Sequence, residues 1–432
     1  MPPLVLRAMG TALLVVHLTQ SASAQMHETV PDTLRLDAVL AELYASPVLR
    51  AARLGANALA TEADASDAWP DPSISLAVQP FPVFTARGAQ RSQLRVEQML
   101  PWPGTLSRRR AVAESAAHIA DTEVTVQAAD LDLEATEAYI RLGRVQAVET
   151  VLRRYKIRLG AFAEAAAVRY EVGRGPQAAI LRLQLEAGGL DARLLPLAAQ
   201  RQLAVSTLAR LLDQPELETA SVSIAPIMLP HSADSVRAAA LFLRPEIAVL
   251  DAWAARAKAE ISLAERAFFP AIGANITYFD IAAGDIPASA DGRNALAVGV
   301  TVKIPLDRSS RRANLEAARL RAVQVVAQRE ALETAIATSV TAHLHHAHHE
   351  YEALLLYRNR LLPQAETTVE STLAAYTTGQ ADFLTLLDAE RARFELHIAE
   401  AEAETRYLIA AARLARALGL ASIYDLSATS HD

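Results

Sequence analysis

Tyr170-Glu171-Val172-Gly173 runs on through Ile180-Leu181 toward Leu211, and 206 positions later Tyr376-Thr377-Thr378-Gly379 runs on through Leu386-Leu387 toward Ala417. The same spacing aligns Ala209-Arg210 with Ala415-Arg416, so one long unit is written twice. Upstream the match drifts slightly: Pro47 answers Pro245, Pro70 answers Pro270, and Pro101 answers Pro305. Each half reads as a helix, a proline-marked pair of short strands, a very long helical stretch, a glycine turn and a further helix. Residues 25–213 form the expected first repeat and 235–422 the second, with a tail at 423–432. Between the repeats, residues 214–234 hold Pro215, Pro226 and Pro230 and show no helical period, so they read as the linker.

The chain has 432 residues and a formal net charge of -7. No basic face of the kind that holds phosphate is evident, so a nucleic-acid partner is not expected. Arg7, the apolar run over residues 8–18 and then Ala22-Ser23-Ala24 read as a secretory signal peptide over residues 1–24, with a mature start at Gln25. That run is too short to span a bilayer as an anchor. No later segment offers the roughly 18 uninterrupted apolar residues of a membrane helix. Cysteine is absent, which excludes disulfides, thiol catalysis, zinc–thiolate sites and an acylated N-terminal cysteine. Membrane attachment of the exported chain would have to come from the fold itself. Nothing points to an enzyme or to a cofactor.

From about residue 106 to 169 there is no proline. Val124, Ala128, Leu131, Ala135, Ala138, Leu142 and Val145 fall at alternating steps of four and three, the seam of a coiled coil. The second half repeats this over about residues 312–375, with Val340, Leu344, Ala347, Tyr351 and Leu354 as the seam and a kink expected at Pro363. Helices of this length suit a tube or a rod.

Ile74, Leu76 and Val78 alternate with Ser73, Ser75 and Gln79, and Leu94 and Val96 with Gln93, Arg95 and Glu97. Ile272, Ala274, Ile276 and Tyr278, then Leu296, Val298, Val300, Val302 and Ile304, alternate in the same way. Period two with one apolar face fits strands with lipid outside and water inside, although a small soluble sheet on the helices would alternate equally well. Four strands cannot close a barrel, whereas three chains giving four each would make twelve. Phe81, Phe84, Tyr278 and Phe279 are the expected interfacial aromatics, and the segments near Pro80 to Gln90 and Asp280 to Asn294 the expected exterior loops.

This order, duplicated behind a signal peptide, resembles the TolC-like outer membrane efflux protein family over essentially the whole mature chain. The residues that carry the resemblance most specifically are Gly379, the run from Asp382 through Asp388 to Arg391, and Tyr170 to Gly175. The resemblance implies a mainly α fold with a small β part: a homotrimer with a twelve-stranded barrel in the outer membrane and a long α-helical tunnel through the periplasm. It implies a passive channel of a tripartite efflux system, working with a periplasmic adaptor and an inner-membrane pump of the resistance-nodulation-division type. Carried over by position, Val172, Gly173, Arg174, Tyr376 and Gly379 are the implied adaptor-contacting tips. Leu384 and Asp388 are implied to narrow the tunnel entrance, with Arg391 as a partner that helps hold it shut. In the first half Pro176 and Ala179 depart from the family pattern. The run from Val96 to Gly104, with Pro101-Trp102-Pro103, resembles the strand-to-helix junction of the heavy-metal branch, the CzcC-like and CusC-like channels.

His343, His345, His346, His348 and His349 share one helix. His345 with His349, and His346 with Glu350, are i,i+4 pairs able to share one cation, which would suit export of metal ions; a water-exposed tract on the flanks of the seam is the alternative. Two readings stand beside the channel: a periplasmic coiled-coil scaffold and a histidine-dependent metal-binding protein.

Overall fold

The structure is a computed structural model that describes residues 33–173, 175–215, 217, 221–230, 233–283 and 291–430. The expected signal peptide, parts of the linker and Arg174 lie outside the described residues. The first half contains β1 (Thr33–Leu34), α1 (Leu36–Leu43), α2 (Pro47–Ala65), β2 (Ser73–Thr85), β3 (Gly88–Leu100), α3 (Thr105–Glu171) and α4 (Gln177–Leu212). The second contains β4 (Ser221–Val222), α5 (Ala233–Leu243), α6 (Pro245–Arg266), β5 (Ala271–Ala282), β6 (Ala295–Lys303), α7 (Arg308–Leu356), α8 (Leu362–Thr377) and α9 (Phe383–Leu418). The chain is mainly helical with a small sheet. Both ends of α4 and of α9 lie 206 positions apart, so the spacing read from the sequence holds to the residue.

Pro47 and Pro245 each open a helix, where a missing N–H would be unpaired in any case. With 67 residues, α3 reaches about 100 Å at 1.5 Å per residue. Every residue of its expected seam, from Val124 to Val145, is buried. In the second seam Val340, Leu344, Ala347 and Leu354 are buried, but Tyr351 sits at the margin with its ring 5.1 Å from Tyr407. The break expected near Pro363 is a single π turn over Tyr357–Leu361, in which the Leu362 N–H reaches back to the Tyr357 carbonyl. A wider turn makes room for the proline ring while the helix continues.

The sheet runs β2-β3-β5-β6, all antiparallel. Register sets Ile74, Val96, Ile276 and Val298 in one cross-strand row, and Leu76, Leu94, Tyr278 and Leu296 in the next. This face is bare: Ile74 is 71% and Val298 76% exposed. The opposite face carries Ser75, Arg95 and Thr277, with Arg95 Nε donating to Thr277 Oγ1 at 3.2 Å. Two expectations are corrected here. Phe279 follows Tyr278 in an unbroken strand and therefore lies on the polar side, opposite the lipid-type face. The segment from Pro80 to Gln90 is mostly strand: β2 passes through Pro80 and Pro82 with a register shift between Val78 and Val83, and only Ala86 and Arg87 make the turn. Two prolines are tolerated because β2 is an edge strand.

Below the sheet α2, α3, α6 and α7 lie side by side in that order, the order of the strands above them. At the junction Trp102 stacks on Phe269 at 5.3 Å and Arg108 Nε donates to Ser262 Oγ at 2.8 Å. Gly104, at φ 79, turns the chain from β3 into α3. Lower down, Tyr139 and Tyr407 fasten the irregular segments to the helices. The Tyr139 hydroxyl lies 2.6 Å from the Leu34 carbonyl, and the Tyr407 hydroxyl donates to the Ile227 carbonyl at 2.8 Å.

Candidate gate at the hairpin tips

Both helical hairpins turn at a glycine in the left-handed region, Gly173 at φ 74 and Gly379 at φ 77. A Cβ at either position would meet nothing within 4 Å, so backbone angle, and not crowding, calls for glycine there. Past the second turn Asp382 caps α9, accepting from the Thr385 N–H at 2.8 Å and its hydroxyl at 2.6 Å. These two donors hold the Asp382 carboxyl below the usual carboxylate range. Its counterpart Pro176 caps α4 with no side-chain bond.

The expected tip residues fall into two groups. Val172 is 62% exposed and stands beside exposed Tyr170. Tyr376 instead ties the two hairpins together: the Arg169 guanidinium lies 4.6 Å over its ring and also donates to its hydroxyl, and Phe383 meets it edge-on at 6.0 Å.

Leu384 and Asp388 are both exposed on the first turns of α9. Asp388 does not pair with Arg391 along the helix. Its cation is Arg182 of α4 at 4.0 Å, while Arg391 reaches Glu186 of α4 at 3.6 Å, and Arg193 and Glu395 add a third rung at 2.9 Å. The three rungs reach between α4 and α9, which both pack on α3. Sequence reasoning missed Arg182, although the repeat offset assigns it the position equivalent to Asp388.

Behind the ladder α9 is anchored to α3. Glu390 is 3% exposed and accepts from Arg158 Nη1 at 3.0 Å and Arg393 Nη2 at 2.6 Å. Phe394 stacks on Tyr155 with ring centroids 4.2 Å apart. Burial pushes the Tyr155 hydroxyl well above its ordinary range, and that hydroxyl has no hydrogen-bond partner among the described residues.

The histidine run does not assemble as expected. His345, His346 and His349 are exposed, but Glu350 is 8% exposed and accepts from Arg406 Nε at 3.0 Å, so it is not free to share a cation with His346. His348 Nε2 lies 3.0 Å from the Pro230 carbonyl oxygen. Burial and the neighbouring Arg413 lower the basicity of His343. No cluster of three or more metal-ligating side chains occurs among the described residues.

Residues 236–420 match the profile of the outer membrane efflux protein family. Among solved structures, the outer-membrane channel OprN shares 21% identity with this chain at a TM-score of 0.69, covering 89% of each chain. A membrane protein from Pseudomonas aeruginosa shares 20% identity at 0.73, covering 90% of this chain and 91% of its own. CusC, whose structures concern folding and transmembrane channel formation, shares 18% at 0.69, covering 89% and 92%. No curated protein matches by sequence.

Proposed function

Because residues 236–420 match the profile of the outer membrane efflux protein family, we propose that the chain is a member of that family and the outer membrane duct of a tripartite export system. One observation carries this reading: sheet and upper helices share a single lateral order, and both layers end in open edges. β2 and β6 are unpaired on their outer sides, and the apolar face between them is bare. An open edge and a naked apolar face are unfavourable in water and an open edge is excluded from lipid, so copies must join head to tail until the ring closes. Three chains with four strands each give a twelve-stranded barrel, continuous with a helical tunnel in the periplasm. A periplasmic scaffold would leave Ile74, Leu76, Leu296 and Val298 against water, which disfavours it.

The tunnel narrows where α4 and α9 meet. Asp388 and Leu384 face the opening, and the rungs Arg182–Asp388, Glu186–Arg391 and Arg193–Glu395 hold α9 against α4. The outer two are exposed on both sides and Glu186 of the middle one is half-buried, and such surface pairs contribute only about 0.2–1 kcal/mol each. A latch of that strength is released by a partner that binds the open arrangement more tightly, the task assigned to a periplasmic adaptor at Val172, Gly173, Arg174, Tyr376 and Gly379. Energy and substrate choice come from the inner-membrane pump. Metal cations are one class of cargo: His345 and His349 stand one turn apart on an exposed face of α7, a weak two-ligand stop.

Detergent-purified protein is expected to be a trimer that conducts ions in a planar bilayer, with Asp388→Ala raising single-channel conductance. Unchanged conductance would remove Asp388 from the gate, and a water-soluble monomer without conductance would remove the duct.

A further inference from the structure

Asp132, on α3, is 8% exposed and looks into a cavity of about 490 Å³ between α2, α3, the α5–α6 junction and the end of α9. Its carboxylate has no hydrogen-bond or ion-pair partner among the described residues. The site lies about 60 Å along α3 from the Gly173 turn, and the gate makes no use of it. Its walls are mixed: Val124, Ala128, Leu243, Leu420 and Tyr44 give an apolar side, and Asn57 and Thr125 stand beside them.

The other charged groups that line the cavity do not satisfy Asp132. Arg53 of α2 is committed to the Tyr44 carbonyl through Nη1 at 2.5 Å. Asp121 is exposed, farther up α3. On adjoining surface, Asp130 and Glu246 share Arg416, which also leaves no cation for Asp132. Burial pushes the Asp132 carboxyl up to about 6 from an ordinary 3.8. At neutral pH it is therefore ionised, and a desolvated lone carboxylate is held there at a cost in free energy. A cation that entered the cavity would recover that energy.

We propose that this cavity binds a small organic ammonium ion, the charge set on Asp132 and the hydrocarbon part against the apolar side with Tyr44. A divalent metal would need several converging oxygen ligands, and no group of three or more metal-ligating side chains occurs among the described residues. The volume falls within the range of small-molecule sites, roughly 300–1,000 Å³.

The probe is benzylammonium, followed by equilibrium dialysis against the assembled, detergent-purified protein, with benzyl alcohol as the uncharged counterpart. At pH 7.5 the protein should show one saturable site per chain for benzylammonium. Asp132→Asn should weaken it about thirtyfold or more and leave benzyl alcohol unaffected. Ala129→Leu, which narrows the cavity and keeps the carboxylate, should also weaken binding. Lowering the pH to 5 should weaken binding roughly tenfold as Asp132 takes up a proton. No saturable binding to the parent protein, or Asp132→Asn binding as tightly as the parent, overturns the proposal, and neither result bears on whether the chain conducts ions.

Discussion

The hairpin of α3 and α4 and the hairpin that ends in α9 follow one backbone plan, yet they hold their lower ends by different means. Left-handed residues recur at equivalent places, Gly173 with Gly379 and Asp213 with Gly419. Side chains at equivalent places diverge. Asp382 caps α9 where Pro176 leaves α4 uncapped, and Phe394 stacks on Tyr155 where α4 has Gly188, followed by Gly189. Pro196 also interrupts the interior of α4. Each interior glycine costs about 1 kcal/mol of helix stability and an interior proline about 3. The two arms have equal length, and their differing side chains leave α9 firmly anchored and α4 compliant. In a gate latched by exposed ion pairs, the compliant arm is the one that bends at least cost.

The largest test of that contrast is Phe394→Ala set against Gly188→Ala. Emptying the Phe394 site should destabilise the protein by about 3–5 kcal/mol, seen as a lower denaturation midpoint. Gly188→Ala, where a Cβ meets nothing within 4 Å, should stabilise it by up to about 1 kcal/mol. Changes of equal sign and size in the two arms would break the comparison.

Much of this was legible in the chain. The 206-residue offset read from the chain holds at both ends of α4 and α9, the four-and-three steps gave the α3 seam, and alternation gave the bare face of the sheet. What escaped was whatever depends on which helix lies next to which. Asp388 and Arg391 are three apart on one helix, so local spacing suggests they pair, while both find partners on α4. Glu350 looked like a metal ligand until the fold brought Arg406 to it. The strand through Pro80 and Pro82 was hidden because only an edge position tolerates it, and edges are a property of the sheet.

At the other ends of the same helices the comparison reverses in detail. Gly419 and Asp213 both have positive φ, but a Cβ at Gly419 would stand 2.6 Å from the Leu243 carbonyl oxygen. Gly419→Ala should therefore cost about 2–3 kcal/mol, joining left-handed strain to a backbone clash. Asp213 already carries a Cβ there, so Asp213→Gly should gain no more than about 1 kcal/mol. Thermal midpoints of the two variants measure the difference. A tolerant Gly419→Ala would mean that the α5–α6 junction yields.

The smallest expected effect lies nearest the gate. Asp382→Ala removes the acceptor for the Thr385 N–H and hydroxyl and should cost about 1 kcal/mol. Most of that loss falls on the first turn of α9, which carries Leu384, so global stability should drop slightly while amide exchange near Thr385 rises more. The reciprocal change, Pro176→Asp with Ala179→Thr, copies the cap onto α4 and should slow exchange there. If fraying of α9 raises conductance while the copied cap lowers it, the stiffness of the two arms sets how far the latch stands open. If both variants conduct like the parent, capping governs only local order, and the rungs between Arg182 and Glu395 carry the gate alone.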